Sequence, residues 1–135
     1  MYYEAMLQKQ YRLKKRSAFT ATYRTGKTFH KDGITVFCGK IKTTDMPTKI
    51  GFVVSKKIHK RAVRRNRIKR LMRESLRLYI KSFDNSLETD YMSLVFVAST
   101  KLLDKDFKAI DTSMKKLLGI IKNARWNYYT CIKRY

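Results

Sequence analysis

The chain has 135 residues, 32 of them Lys or Arg against 10 Asp or Glu, for a formal net charge of +22. With 44% hydrophobic and 13% aromatic residues, it is too apolar for a disordered basic tail. A chain of this length buries roughly two-thirds of its unfolded surface as one domain, without disulfides or structural metal. No apolar run approaches the roughly 18 residues of a spanning helix, and Met1-Tyr2-Tyr3-Glu4 opens no signal-peptide core. The expected setting is cytoplasmic, with no membrane partner. Cys38 and Cys131 form no CxxC or Cys/His cluster, which fits reduced, incidental thiols and no protein metal site. So positive a surface repels itself unless a polyanion releases its counterions on it, and nucleic acid is the first such partner.

Residues 1–10 are mixed and polar and read as an extension. Tyr11 to Arg16 (YRLKKR) is a basic lead-in, followed by a short helix from Ser17 to Thr25, with Ser17 as its N-cap and Gly26 as its stop. Phe19 and Tyr23, four apart, share one face of that helix. Ile34–Ile41 and Ile50–Ser55 are β-branched or aromatic runs separated by a polar stretch with Pro47, and they read as a hairpin. A third run, Met92–Ala98, is apolar enough for a central strand. Between the last two runs lies a helical stretch from about Lys60 to Phe83. A final helix starts near Asp104 as N-cap and runs to about Asn123 with Phe107, Ile110, Met114, Leu117, Leu118 and Ile121 as its buried stripe. This order predicts an α+β fold, a two-layer α/β sandwich with one sheet of three or four strands covered on one face by the helices. If the strands flanking the long helix are parallel neighbours, a right-handed crossover is the general expectation.

The long helix carries the charge. Lys56 to Arg77 contains eleven Lys or Arg and one acid, Glu74. At 100° per residue Ile68, Leu71, Met72, Ser75 and Tyr79 fall on one side, with Leu76, Leu78 and Phe83 at its margins. Lys69, Arg70, Arg73, Arg77 and the Asn66 amide fall on roughly the opposite side. Like-charge pairs four apart, such as Lys69 with Arg73, each destabilise a free helix by a few tenths of a kcal/mol. A solubilising surface needs mixed charge rather than this segregation, so the stripe reads as a phosphate-binding face.

Single-stranded nucleic acid is commonly held by aromatic faces and a basic groove. Phe19 and Tyr23 supply such faces, and Arg12, Lys14, Lys15 and Arg16 such charge, although Phe19 at this spacing serves equally as a core residue. Nothing resembles a nuclease centre: the seven Asp residues sit mostly at expected turns and helix starts, and His30 and His59 have no acid or nucleophile partner. His59 reads as a surface residue or a phosphate contact.

Ala62-Val63-Arg64-Arg65-Asn66-Arg67-Ile68-Lys69-Arg70-Leu71-Met72-Arg73 resembles the RNR signature of the bacterial ribonuclease P protein subunit. Gly51-Phe52-Val53-Val54-Ser55-Lys56-Lys57 is similar to the strand and loop that lead into it, and Arg12-Leu13-Lys14-Lys15 with Phe19 and Tyr23 to the family's N-terminal helix region. The likeness spans about residues 11–122 as a single domain and leaves 1–10 and the basic, aromatic tail 123–135 outside it. It implies a fold like ribosomal protein S5 domain 2, with a left-handed crossover through the basic helix. The implied function is a non-catalytic protein subunit that joins a catalytic RNA, one protein per RNA, to remove the 5′ leader of precursor tRNA, with Mg²⁺ held mainly by the RNA. Carried over by motif, Arg65, Asn66, Arg67, Lys69, Arg70 and Arg73, with Lys56, Lys57 and Arg61, contact the RNA subunit. Phe19, Tyr23 and Phe37, with Arg12, Lys14 and Lys15, hold the leader. The alternatives from charge alone are a ribosomal or nucleoid-type structural binder and a self-contained ribonuclease. For the tail, Trp126, Tyr128, Tyr129 and Tyr135 among Arg125, Lys133 and Arg134 suit an RNA-stacking surface, a sheet-edge cover or no fixed structure equally.

Overall fold

Asp32-Gly33 reverses the chain between two five-residue strands, β1 (Lys27–Lys31) and β2 (Ile34–Cys38), with φ of 50° and 88° at the two turn residues. Positive φ at both positions makes a type I′ turn, which Asp-Gly favours and whose twist matches the strands it joins. The computed structural model describes residues 11–42, 47–55, 57, 60–82 and 91–133, with the backbone alone at 82 and 122–133. Around the hairpin come α1 (Arg16–Arg24) before it and, after it, β3 (Lys49–Val53), α2 (Ala62–Ser82), β4 (Ser93–Ala98), a 3-10 turn (Thr100–Leu102) and α3 (Phe107–Lys133).

The four strands lie in the order β1-β2-β4-β3, antiparallel except for the parallel pair of β3 and β4. The hairpin expected between Ile34–Ile41 and Ile50–Ser55 is therefore not formed, because β4 inserts between those strands and takes the hydrogen bonds of both. The true hairpin uses β1. Its alternation is polar on both faces apart from Phe29, as suits an edge strand, and it gives no strong apolar signal. β2 ends at Cys38, and Ile41 makes only an isolated bridge to Tyr91.

Strand alternation sorts the residues into two faces. Ile34, Val36, Cys38, Ile50, Leu94, Phe96 and Ala98 share one core with Ile68, Met72, Leu76 and Ile80 of α2 and Ile110, Met114, Leu117, Leu118 and Ile121 of α3. Phe52 and Phe96 stack within it at 5.6 Å. α2 and α3 thus form the expected helical layer on one face of the sheet. α1, expected in that layer as well, instead lies on the other face, where Phe19 and Tyr23 pack on Gly51 and Phe37 and the hydroxyls of Thr22 and Ser93 meet at 2.6 Å. On α2, Leu76 is fully buried rather than marginal, whereas Leu78 is exposed.

Two caps differ from expectation. α1 starts at Arg16, with Lys15 at the cap position and no side-chain cap, so Ser17 is inside the helix; the Ala18 and Phe19 N–H groups both donate to Lys15 O. The chain enters extended because Arg12 is bridged to Ile50 and the Leu13 N–H donates to Ile50 O at 2.9 Å. That pairing also covers the outer edge of β3, an otherwise open row of backbone groups. α3 is capped by Asp106, not Asp104: its Oδ1 accepts from the Ala109 N–H at 2.9 Å, the third residue of the helix. Gly26 ends α1 as expected, with φ of 72° just past the cap. The α3 backbone continues to Lys133, well past Asn123. The expectations for residues 1–10, Lys56, His59, Phe83 and the tail's aromatic side chains lie outside the described residues. Among the described residues no helix is long and apolar enough to cross a membrane.

Candidate nucleic-acid interface

One row of residues crosses the face under α1: Thr28 pairs with Phe37, Phe37 with Val95 and Val95 with Gly51. The two α1 aromatics stand over that row. The Tyr23 ring meets Phe37 edge-on at 4.9 Å and 88°. The Phe19 ring lies against Gly51, where any Cβ would collide with it. Four residues of helix advance about 6 Å, and two strand spacings about 9.6 Å. α1 therefore runs obliquely across β3, β4 and β2, with an aromatic ring near each end. Phe19 and Phe37 are half-buried and Tyr23 is 37% exposed, so part of this aromatic surface faces solvent. Burial raises the Tyr23 phenol above its ordinary pKa, which keeps it a neutral donor. Gly51 was not among the expected site residues, although a lone Gly inside a strand is a recognisable sign of close approach.

At the β3 edge the aromatic row meets the basic stripe. Arg12, Leu13, Lys14, Phe19, Ile50, Gly51, Phe52 and Arg73 line one cavity of about 300 Å³. Arg12, Lys14 and Phe19 came from the expected leader set and Arg73 from the expected RNA-subunit set, so the fold joins two groups that the sequence kept apart. Among the described residues the lining holds three cations and no carboxylate. Arg73 is half-buried, and burial first, then the charge of Arg12, lowers its guanidinium below the usual arginine range. A phosphate in the cavity relieves both causes at once, because it supplies a counter-charge where water is partly excluded.

The remaining stripe follows the helix. Asn66 and Arg70 are exposed, and Lys69 is half-buried beside them. Arg65 is half-buried, and its Nε is sealed from solvent without a hydrogen-bond partner. Arg67 points elsewhere: its Nη2 donates to Lys105 O at 3.2 Å, joining α2 to the start of α3. Arg77 does not belong to the stripe's free charge, because Glu74 pairs with it at 2.6 Å. Lys57 and Arg61 are exposed at the approach to α2, and Lys15 is exposed at the start of α1; none of the three lines the cavity. Lys56 lies outside the described residues.

Among the described residues no three His, Cys, Asp or Glu side chains gather as a metal-binding group. The interface itself offers guanidinium and ammonium groups, a donor set that suits phosphate and does not suit Mg²⁺, which takes oxygen ligands.

The family model described as Ribonuclease P matches residues 7–122. A ribonuclease P protein component of Nitratiruptor sp. is 43% identical over 114 residues, 84% of this chain and 94% of that one. The corresponding protein of Clostridioides difficile is 38% identical over 106 residues, 78% and 87% of the two chains. Among solved structures, the RNase P protein of Staphylococcus aureus superposes with a TM-score of 0.67 at 28% identity, covering 83% of this chain and 95% of its own. That of Thermotoga maritima, at 24% identity and a TM-score of 0.63 over 79% and 94%, has the same fold. The chain belongs to the ribonuclease P protein family.

Proposed function

We propose that the chain is the protein subunit of a ribonuclease P, binding a catalytic RNA through α2 and the single-stranded 5′ leader of precursor tRNA through the face under α1. The observation that carries this reading is the cavity at the β3 edge, where Arg12, Lys14 and Arg73 stand beside the Phe19 ring. Asn66, Lys69, Arg70 and Arg73, with Arg65, engage phosphates of the RNA subunit. Leader bases stack on Phe19, Tyr23 and Phe37, each stacked base contributing about 1–3 kcal/mol. The backbone of the same strand passes Arg12 and Lys14. The protein performs no bond-breaking step; hydrolysis belongs to the RNA with its Mg²⁺, and this chain orients the leader and lowers the repulsion between two RNAs. One protein acts per RNA.

Reconstitution tests it. The purified chain is mixed with a bacterial ribonuclease P RNA and precursor tRNA at low Mg²⁺, and leader release is scored. The expected outcome is stimulation by the protein together with tighter binding of precursor than of leaderless tRNA. No stimulation contradicts the subunit role, equal binding of the two tRNAs contradicts the leader path, and cleavage without any RNA subunit points to a self-contained nuclease.

A further inference from the structure

A second basic groove runs along one flank of α1, beside the Tyr23 end of the aromatic row and apart from the cavity that Arg73 lines. Arg16, Ser17, Thr20, Ala21, Arg24 and Lys40 line about 560 Å³ of open channel. Arg16, Thr20 and Arg24 recur every four residues and so form one row on the helix, with its ends about 12 Å apart along the axis. The three cations are exposed, and the side chains between them are short, so the channel floor is low. Among the described residues its lining includes no acid to neutralise the cations and no aromatic to read a base. The channel is also preformed. The Thr25 hydroxyl donates to Cys38 O, and Thr22 and Ser93 share a hydrogen bond, which fixes the last turn of α1 against the end of the sheet from which Lys40 projects.

Position decides the occupant. Arg16 and Tyr23 are seven apart, which on a helix leaves them about 20° from each other in direction. The groove thus opens at the margin of the aromatic row. Arg24 follows Tyr23 directly in the chain, so a single strand leaving Tyr23 meets Arg24 first, then the row running back through Thr20 to Arg16, with Lys40 also in the lining. We infer that this groove holds the sugar-phosphate backbone of the precursor leader, at nucleotides farther upstream than those stacked on the aromatic row. The contact is sequence-independent, since only phosphates meet protein charge there. The inference rests on the leader-binding reading above and adds a second segment to that path.

The test uses the holoenzyme assembled from the full chain and its RNA. Dissociation constants are measured for leaderless tRNA and for precursors with leaders graded from about two to about twelve nucleotides, within the range that single-strand grooves cover. In Arg16→Ala/Arg24→Ala/Lys40→Ala the affinity for leaderless and shortest-leader RNA stays at the wild-type value, and the affinity for the longest leaders falls several-fold. The log-log salt slope for those long leaders becomes shallower by about 0.7 for each cation removed. Arg16→Lys/Arg24→Lys keeps the wild-type slope. An equal loss on leaderless tRNA, or no loss at any length, overturns the groove. If the wild-type holoenzyme itself binds every leader length alike, the underlying leader path fails and the groove falls with it; a wild-type length dependence that the triple variant retains sinks the groove alone.

Discussion

A methyl group at Gly51 would occupy the space that the Phe19 ring takes. Gly51→Ala therefore forces either that ring or the whole of α1 away from the sheet, an overpacking that costs about 1–3 kcal/mol. The expected result is a lower urea midpoint, and weaker binding of leader-bearing tRNA than of leaderless tRNA relative to the parent; an unchanged preference for the leader contradicts the role given to Phe19. Cys38 illustrates the opposite situation, a residue with reactive chemistry and no access. It is fully buried, and burial outweighs the nearby Lys27 charge and pushes its thiol up to about 12. The folded chain keeps a proton that the unfolded chain releases near pH 9. The stabilisation is complete below that pH and is lost as pH rises toward 12. In a Cys131→Ser background, iodoacetamide at pH 8 is expected to label Cys38 only after denaturation, and rapid labelling of the native chain would show that the site opens. Spacing alone paired Phe19 with Tyr23, but it did not reveal what lay beneath them, because Gly51 and Phe37 come from strands that touch only through β4.

At the scale of elements, α2 was the most legible, since its apolar and basic residues repeat with the helical period over many turns. Ile68, Met72 and Leu76 are fully buried, and Asn66 and Arg70 are exposed on the far side. Glu74 changed the detail by capturing Arg77. If the stripe meets phosphates, Arg65→Ala with Arg70→Ala weakens binding of the RNA subunit and reduces its salt slope by about 0.7–0.9 for each phosphate left without its cation. Filter binding of the RNA subunit across a salt series measures this, and a parallel slope for the variant contradicts the stripe. Strand pairing was less legible. A neighbour-in-sequence rule joins β2 to β3, yet β4 supplies a longer apolar surface for both, and burial outweighs adjacency. β1 carries little local signal because an edge strand needs only one apolar residue, here Phe29, and Asp32-Gly33 is the local sign of its hairpin.

For the whole molecule, +22 acts on folding and on binding with opposite signs. Like charges push the free chain apart, and salt screens that repulsion over a length of about 8 Å at physiological ionic strength. The same salt removes the counterion-release advantage on which RNA binding depends, by about 10³–10⁵ between 50 and 200 mM for six to ten neutralised phosphates. Added KCl is therefore expected to raise the melting temperature of the free chain while it weakens the complex, and a melting temperature that falls with KCl would mean that internal ion pairs dominate. Composition and period determined the α+β class, the nucleic-acid character of the partner and the two-sided α2, since each depends on residues close together in the chain or on their sum. Only the tertiary structure decided that α1 takes the face opposite α2, that β4 separates β2 from β3, and that Arg12, Phe19 and Arg73 share one cavity. Those outcomes depend on packing between distant segments, where buried area and steric fit at positions such as Gly51 prevail over any local signal.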